Sequence, residues 1–425
     1  MKDESIRPYV LILPSSSLPP TTPSSSEGKE KETIVPIPGQ LNPSPRLLLG
    51  PGPSDVHPRV LGAMATPLLG HLDPQFLVLM NETQEMLREA FLTKNHLTFP
   101  ISATGMAGME TCLVNLLEPG DKIVVCVVGF FGTRQVEVAE RTGANVIRLD
   151  VPWGSVFDLN QLRDALTKHR PKVLSIVHAE TSTGAWQPIE QLGKLCHEFG
   201  TLLLVDCVTS LGCIPLKVDE WELDAVFSCS QKGLSCPPGM SPVSFSPRAV
   251  DVIVKRKSKV QSWYFDMTIV QKYWDADRHY HHTAPITMIY AIREGLRLLH
   301  EEGLEARWAR HLRHHNAIKA GLNAMGLEYS AVPGHQLPQL NAVKVPAGID
   351  DLTVRKKLLN EFGIEIGGGL GDFKGKVWRI GIMGHNARAN CVFQALAALE
   401  QCLVSVGYKV TPGAGIAAAN KAYAG

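Results

Sequence analysis

Apolar positions along this chain follow two successive patterns. Between about residues 120 and 230, short strand-like runs alternate with segments of helical periodicity: KIVVCVVG (122–129), NVIRLD (145–150), VLSIVHAE (173–180), TLLLVDCV (201–208) and DAVFSCS (224–230). Runs that stay apolar on both faces predict strands buried on both sides, and their alternation with helices predicts a mostly parallel sheet covered by helices, an α/β fold. An amphipathic helix carrying Phe76, Leu79, Met80, Met86 and Leu87 precedes them. Beyond Glu302 the pattern changes to a long helix in ARWARHLRHHNAIKAGLNAM (306–325), short strands around LNAVKV and VWRIGI, and a last helix from about Ala387 to Val406. This predicts a large domain over 46–302 and a smaller C-terminal α/β domain over 303–425, joined by a helix through Arg293 and Glu294. Residues 1–45 are crowded with Pro and Ser and offer little to bury, so a flexible, disordered tail is expected there.

Charge narrows the class of partner. Lys and Arg number 42 against 41 Asp and Glu, a formal charge of +1, which removes the electrostatic argument for nucleic acid or an anionic membrane and favours a small-molecule substrate. Apolar stretches such as Thr201–Val205 are strand-length, far short of the roughly 20 residues that cross a bilayer. The nine cysteines are irregularly spaced, several within apolar runs, so reduced, packed thiols and a reducing compartment are expected. Neither end reads as a signal peptide or a peroxisomal tripeptide, and the expected location is cytoplasmic.

Three local features could carry chemistry. The run Leu202–Val205 leads directly into Asp206, and ligands of open α/β sheets bind beyond the carboxyl ends of such strands. Read alone, Asp206 could also be a strand-end turn or helix cap, the lesser of the two readings. One strand later, Lys232 sits among small residues in CSQKGLSCPPG; a lysine desolvated there would have a lowered pKa and could attack a carbonyl, although an exposed loop lysine fits the same composition. Ser102-Ala103-Thr104-Gly105-Met106-Ala107-Gly108 precedes a helical pattern, as an anion cradle or a simple N-cap would. Together, a lysine for an aldehyde, a carboxylate for a ring nitrogen and a phosphate cradle match the needs of pyridoxal phosphate.

With LLLGPGPS, the Thr104-Gly105 loop, HAETSTG, LLLVDCVTSLG, CSQKGLSCPPG, YHHTAP and Trp378-Arg379-Ile380-Gly381, the chain from about Leu47 to Val406 resembles the fold-type I, class V aminotransferases. Within them it resembles the alanine–glyoxylate and serine–pyruvate aminotransferase group. The resemblance implies pyridoxal 5'-phosphate as cofactor, Lys232 as its Schiff-base lysine and Asp206 at the ring nitrogen. It places Thr104, Gly105, Met106 and Gln231 at the phosphate, Ser182 near the ring hydroxyl, and Phe131 on the ring face. Met106 stands where some relatives have histidine and Phe131 where some have tryptophan, and Phe stacks with less area and no N–H. Tyr280 and Thr283 are implied to reach the phosphate of a neighbouring subunit, hence a homodimer with shared sites. Arg379 and Gly52 are implied at the substrate, the guanidinium gripping an α-carboxylate through two parallel bonds. His178 and Glu180, beside Ser182, are expected supports.

The expected reaction is transamination between a small amino acid, alanine or serine, and a 2-oxo acid, foremost glyoxylate. The alternatives are a kynurenine-type transaminase and a desulfurase or other lyase using the same cofactor. A desulfurase needs a mobile cysteine, whereas Cys391 and Cys402 fall in a helical pattern. A nicotinamide enzyme would need a G-x-G-x-x-G turn after its first strand, and none is present. The three histidines of Arg278-His279-Tyr280-His281-His282-Thr283 lack a neighbouring Cys or carboxylate to complete a metal set. Gly367-Gly368-Gly369-Leu370-Gly371 is expected to form a flexible hairpin near the site.

Overall fold

The computed structural model describes residues 38–424, so most of the tail expected over 1–45 lies outside the described residues. Seven strands make the main sheet: β1 Leu97–Ile101, β2 Lys122–Val127, β3 Asn145–Asp150, β4 Val173–Val177, β5 Leu202–Asp206, β6 Ala225–Phe227 and β7 Ser241–Phe245. Their spatial order is β1-β7-β6-β5-β4-β2-β3. Strand β7 alone runs opposite to the other six. The other six therefore point their carboxyl ends the same way, and the loops after β1, β2, β4, β5 and β6 open onto one edge of the sheet. Every residue of β4 and β5 is buried, as expected of strands covered on both faces.

Local signals place the helices. The amphipathic segment forms the helix Pro74–Phe91, begun by Asp73, whose carboxylate accepts from the Gln75 amide at 2.8 Å, and Pro74 in the first turn, where no donor is needed. Phe76, Met80 and Leu87 are buried along its inner face. Ile286–Glu302 runs through Arg293 and Glu294, and Gly303 separates it from the helix Leu304–Ala324. The last pattern forms a helix over Ala389–Ser405, and a further helix over Ala414–Ala424 lies against Leu304–Ala324.

From Pro45 on, the chain packs as one unit. Its larger apolar core draws on residues from Val60 to Leu299, and a second on Leu49 and on residues from Ala317 to Ala419. A three-stranded sheet of Leu340–Lys344, Val377–Gly381 and Gly367–Gly368 lies at the second core and carries Arg379 on its middle strand. The glycine run thus contributes a short strand, paired with Trp378 and Arg379. Among the described residues no helix is long and apolar enough to cross a membrane.

Candidate functional site

The site is built on the loop that follows β6. Ser228, Cys229 and Ser230 are buried, and the Ser228 and Ser230 hydroxyls bond to the Cys207 and Pro237 carbonyls at 3.0 and 2.6 Å. Two distant segments grip this loop. Ser54 of the GPGPS turn donates its amide to the Gln231 carbonyl (2.9 Å) and its hydroxyl to that of Lys232 (2.9 Å). Arg307 donates to the Gly233 carbonyl at 2.5 Å and to the Gly212 carbonyl at 3.0 Å. Lys232 itself donates from Nζ to the Pro51 carbonyl. Gly52 stands at φ +119°, and a Cβ there would overlap the Lys232 amine, so a side chain is excluded on both grounds. Desolvation holds the lysine pKa below its ordinary value, and Arg379 acts in the same direction against the opposing pull of Cys229 and Asp206.

Asp206 ends β5 at 3 % exposure, accepting one bond from the Val208 amide at 2.9 Å. Burial pushes its pKa up to about 7; the Val208 bond and the nearby Lys232 oppose this, while Glu180 adds to it. No salt bridge to Asp206 occurs among the described residues, so the carboxylate is short of a cation. Glu180 is fully buried and accepts from the Ser182 amide (3.0 Å) and hydroxyl (2.6 Å) and from the Phe131 and Gly132 amides (3.1 and 3.3 Å). The Ser182 hydroxyl accepts in turn from the Phe130 amide at 2.9 Å. This pair therefore anchors the start of the helix Phe130–Arg141, where an acceptor is favoured, and so sets the position of Phe131. Any side chain at Gly129 would collide with both Ser182 and Glu180.

Thr104 is the N-cap of the helix Gly105–Leu116, yet its side chain makes no capping bond. The Ala107 amide bonds to the Thr104 carbonyl at 2.8 Å, and the Gly105 and Met106 amides are left to other acceptors, as an anion site requires. The two glycines allow close packing: a Cβ at Gly105 would lie 2.8 Å from that of Cys229, and one at Gly108 would overlap Ser241. His282 Nε2 lies 2.7 Å from the Ser102 hydroxyl and ties down the approach to Thr104.

These elements enclose a cleft of about 180 Å³ whose walls include Gly105, Met106, Phe131, Asp206, Gln231 and Lys232. Six expected residues thus come together from four strand ends. Thr181 and Thr209 also line it and were not singled out from sequence, although both stand in the strand-end motifs HAETSTG and LLLVDCVTSLG. Ser182 lies behind the cleft wall, and Thr104 is exposed at its margin. Tyr280 (63 % exposed) and Thr283 are on the surface and do not line the cleft. Arg379 is 7 % exposed; its Nε donates to the Gly368 carbonyl at 2.7 Å, and neither Nη has a protein acceptor among the described residues. Burial lowers its pKa to about 10.

The residues suit the expected cofactor. A protonated ring nitrogen is the cation Asp206 lacks, Phe131 offers an aromatic face, and the Gln231 side-chain oxygen is buried without a partner. The description "Aminotransferase class-V" belongs to the family model that matches residues 59–374. Over 396 residues, 89 % of this chain and 95 % of the relative, the sequence is 42 % identical to (S)-ureidoglycine–glyoxylate transaminase of Bacillus subtilis. It is 41 % identical to mouse alanine–glyoxylate aminotransferase over 362 residues, 84 % and 87 % of the two chains. A crystal structure of alanine–glyoxylate aminotransferase from Nostoc sp. superposes with a TM-score of 0.86 at 50 % identity, covering 88 % of this chain and all of that one.

Proposed function

The chain belongs to the class-V aminotransferases and uses pyridoxal phosphate, and from that premise we propose that it transfers the amino group of alanine or serine to glyoxylate. What carries the acceptor is that relatives named for different donors share glyoxylate in their names. Arg379, which does not line the cleft itself, adds a buried guanidinium with both Nη groups free whose charge acts on the desolvated Lys232, an arrangement suited to a small carboxylate-bearing substrate.

When bound, the cofactor supplies an electrophilic carbon for the substrate amine and a ring that withdraws charge from the substrate α-carbon. Lys232 holds it until substrate arrives, and its Nζ then takes the proton from the α-carbon and returns one. A lowered pKa raises the fraction of neutral amine available for that step. Asp206 keeps a proton on the ring nitrogen. Thr104, the first-turn amides at Gly105 and Met106, and Gln231 hold the phosphate, with Phe131 against the ring. Ser182 acts through Glu180 and the Phe130 helix. Arg379 orients donor and acceptor alike by their carboxylates, and Gly52 leaves room for the exchange at Lys232. In a homodimer, Tyr280 and Thr283 serve the partner's phosphate, which accounts for an aromatic residue left 63 % exposed.

A second donor, (S)-ureidoglycine, is favoured by the Bacillus subtilis relative. Both readings are tested by glycine formation from glyoxylate with alanine, serine, ureidoglycine or kynurenine as donor. The first expects alanine or serine to give the highest kcat/KM. Preference for ureidoglycine selects the second, and absence of glycine with every donor sinks both.

A further inference from the structure

A second cleft, of about 400 Å³, lies against the same catalytic loop at Leu234 and Ser235 and shares no lining residue with the Lys232 cleft. Its other walls bring His57, Arg310, His385 and Arg388 together from three separate segments. The surrounding charges do not balance. Glu302 is taken by Arg307 (2.8 Å) and Arg310 (2.5 Å), while Glu301 is taken by Arg59 (2.5 Å) and Arg297 (2.9 Å). Glu294 pairs with the same Arg59 (2.6 Å) and Arg297 (3.0 Å). Among the lining residues three guanidiniums meet two carboxylates, and with Arg59, Arg297, Glu294 and the nearby Asp55 five meet four, a surplus of one positive charge by either count. Such a surplus concentrates anions in a cleft with low-dielectric walls.

Arg388 is the cation without a carboxylate among the described residues. Among the described residues its one side-chain bond is a 3.7 Å contact with Cys391 Sγ, and its buried Nε has no acceptor. Asp55 commits an oxygen to the Leu48 amide. The two imidazoles add donors without adding charge. His57 accepts the Arg59 amide at Nδ1 (3.1 Å), which leaves the proton on Nε2, and its ring meets that of His385 edge to face at 4.6 Å. Burial and the nearby arginines lower both pKa values, that of His385 to about 4.

We propose that this cleft binds a phosphate dianion, inorganic or carried as a monoester, between Arg388, His57 and His385, and that its occupancy is transmitted to the Lys232 loop. The positive surplus and the unpaired Arg388 favour an oxyanion, with the two imidazoles as further donors, and the cleft exceeds the size of one oxyanion, which favours a monoester. The route to the loop is short. The His385 amide donates to the Ser235 hydroxyl at 2.6 Å, Arg310 holds the Gly384 carbonyl at 3.0 Å, and Ser235 is a non-glycine residue at φ +53°, a strained position next to the catalytic segment.

The test uses the cofactor-loaded enzyme, so that the cofactor's own phosphate occupies the Thr104 cradle. Inorganic phosphate and glycerol 2-phosphate are titrated by calorimetry and by thermal shift against sodium chloride at matched ionic strength, with the cofactor's visible absorbance followed throughout. Saturable binding, a higher Tm with phosphate than with chloride, and an absorbance change that saturates in step are expected. Arg388→Met weakens binding by about tenfold or more, and His385→Phe, a second variant should the first fold poorly, does likewise. A monoester bound at least about tenfold tighter than phosphate assigns the site to a phosphorylated metabolite, and equal affinity assigns it to free phosphate. Chloride reproducing the shift, or both variants binding as the wild type does, overturns the site; binding without any absorbance change overturns its link to Lys232.

Discussion

Replacing Asp206 with asparagine isolates what burial costs this carboxyl. Asp206 is 3 % exposed, and among the protein's own groups burial raises its pKa from 3.8 to about 7. The unfolded chain keeps the carboxyl near its ordinary value. Between about pH 4 and pH 7 the folded apoprotein therefore binds more protons than the unfolded chain, and stability falls as pH rises through that window. At about 1.4 kcal/mol for each tenfold change, the loss reaches about 4 kcal/mol above pH 7. Asparagine keeps an acceptor for the Val208 amide and has no charge to bury. Urea denaturation of the two apoproteins at pH 5 and pH 8 is expected to show Asp206→Asn gaining on the wild type as pH rises, by up to about 3 kcal/mol. Cofactor affinity is expected to move oppositely, falling at least about tenfold because asparagine cannot hold a charged ring nitrogen. Parallel pH profiles for the two apoproteins would refute the reasoning.

Arg379→Lys replaces a planar fork with a point charge, so KM for the amino donor should rise about 10–100-fold while the cofactor's absorbance stays unchanged. An unaltered KM in steady-state kinetics would remove Arg379 from the substrate. Gly52→Ala forces a methyl onto the Lys232 amine at a backbone angle that suits glycine, and stopped-flow measurement should find the proton-transfer step slowed about 100-fold in a folded protein. Glu180→Gln puts an amide NH2 where a carboxylate oxygen accepts either from the Ser182 amide and hydroxyl or from the Phe131 and Gly132 amides at the start of the Phe130 helix. Urea melts should show a loss of about 1–3 kcal/mol, and a melt matching the wild type would mean the helix start is held in another way.

Strands β2, β4, β5 and β6 are legible in the sequence because burial on both faces leaves apolar runs, whereas the edge strand β3 shows as alternation in NVIRLD; Asp206 ends one such run and Lys232 stands in the loop after another. Strands β1 and β7 are not legible, since each contains a proline. In the fold Pro100 and Pro242 face each other across the ladder, where neither is called on to donate to the other, and β1 is the sheet edge. The helix Ala414–Ala424 escaped notice for a different reason. It meets Leu304–Ala324 through small residues, a Cβ at Gly321 lying only 2.9 Å from the Gly415 carbonyl, so close approach takes the place of an apolar stripe. Within the site, spacing suggested Thr104 and its glycines as one phosphate cradle, whereas Gly105 and Gly108 answer to Cys229 and Ser241, residues more than a hundred positions away. The anchoring of the Phe130 helix by Glu180 and Ser182 was equally out of reach, because it joins loops from two different strands. Local composition reports what a strand end can present; it does not report which distant loop it meets.

We propose above all that Lys232 carries the cofactor in a glyoxylate aminotransferase. Borohydride reduction of the purified enzyme with bound pyridoxal phosphate, followed by proteolysis and mass spectrometry, tests it most directly. The prediction is a pyridoxyl group fixed to the peptide containing Lys232 and absent when alanine has first converted the enzyme to its amino form. A label on another lysine, or a label at Lys232 that alanine, serine and ureidoglycine all fail to remove, would contradict it.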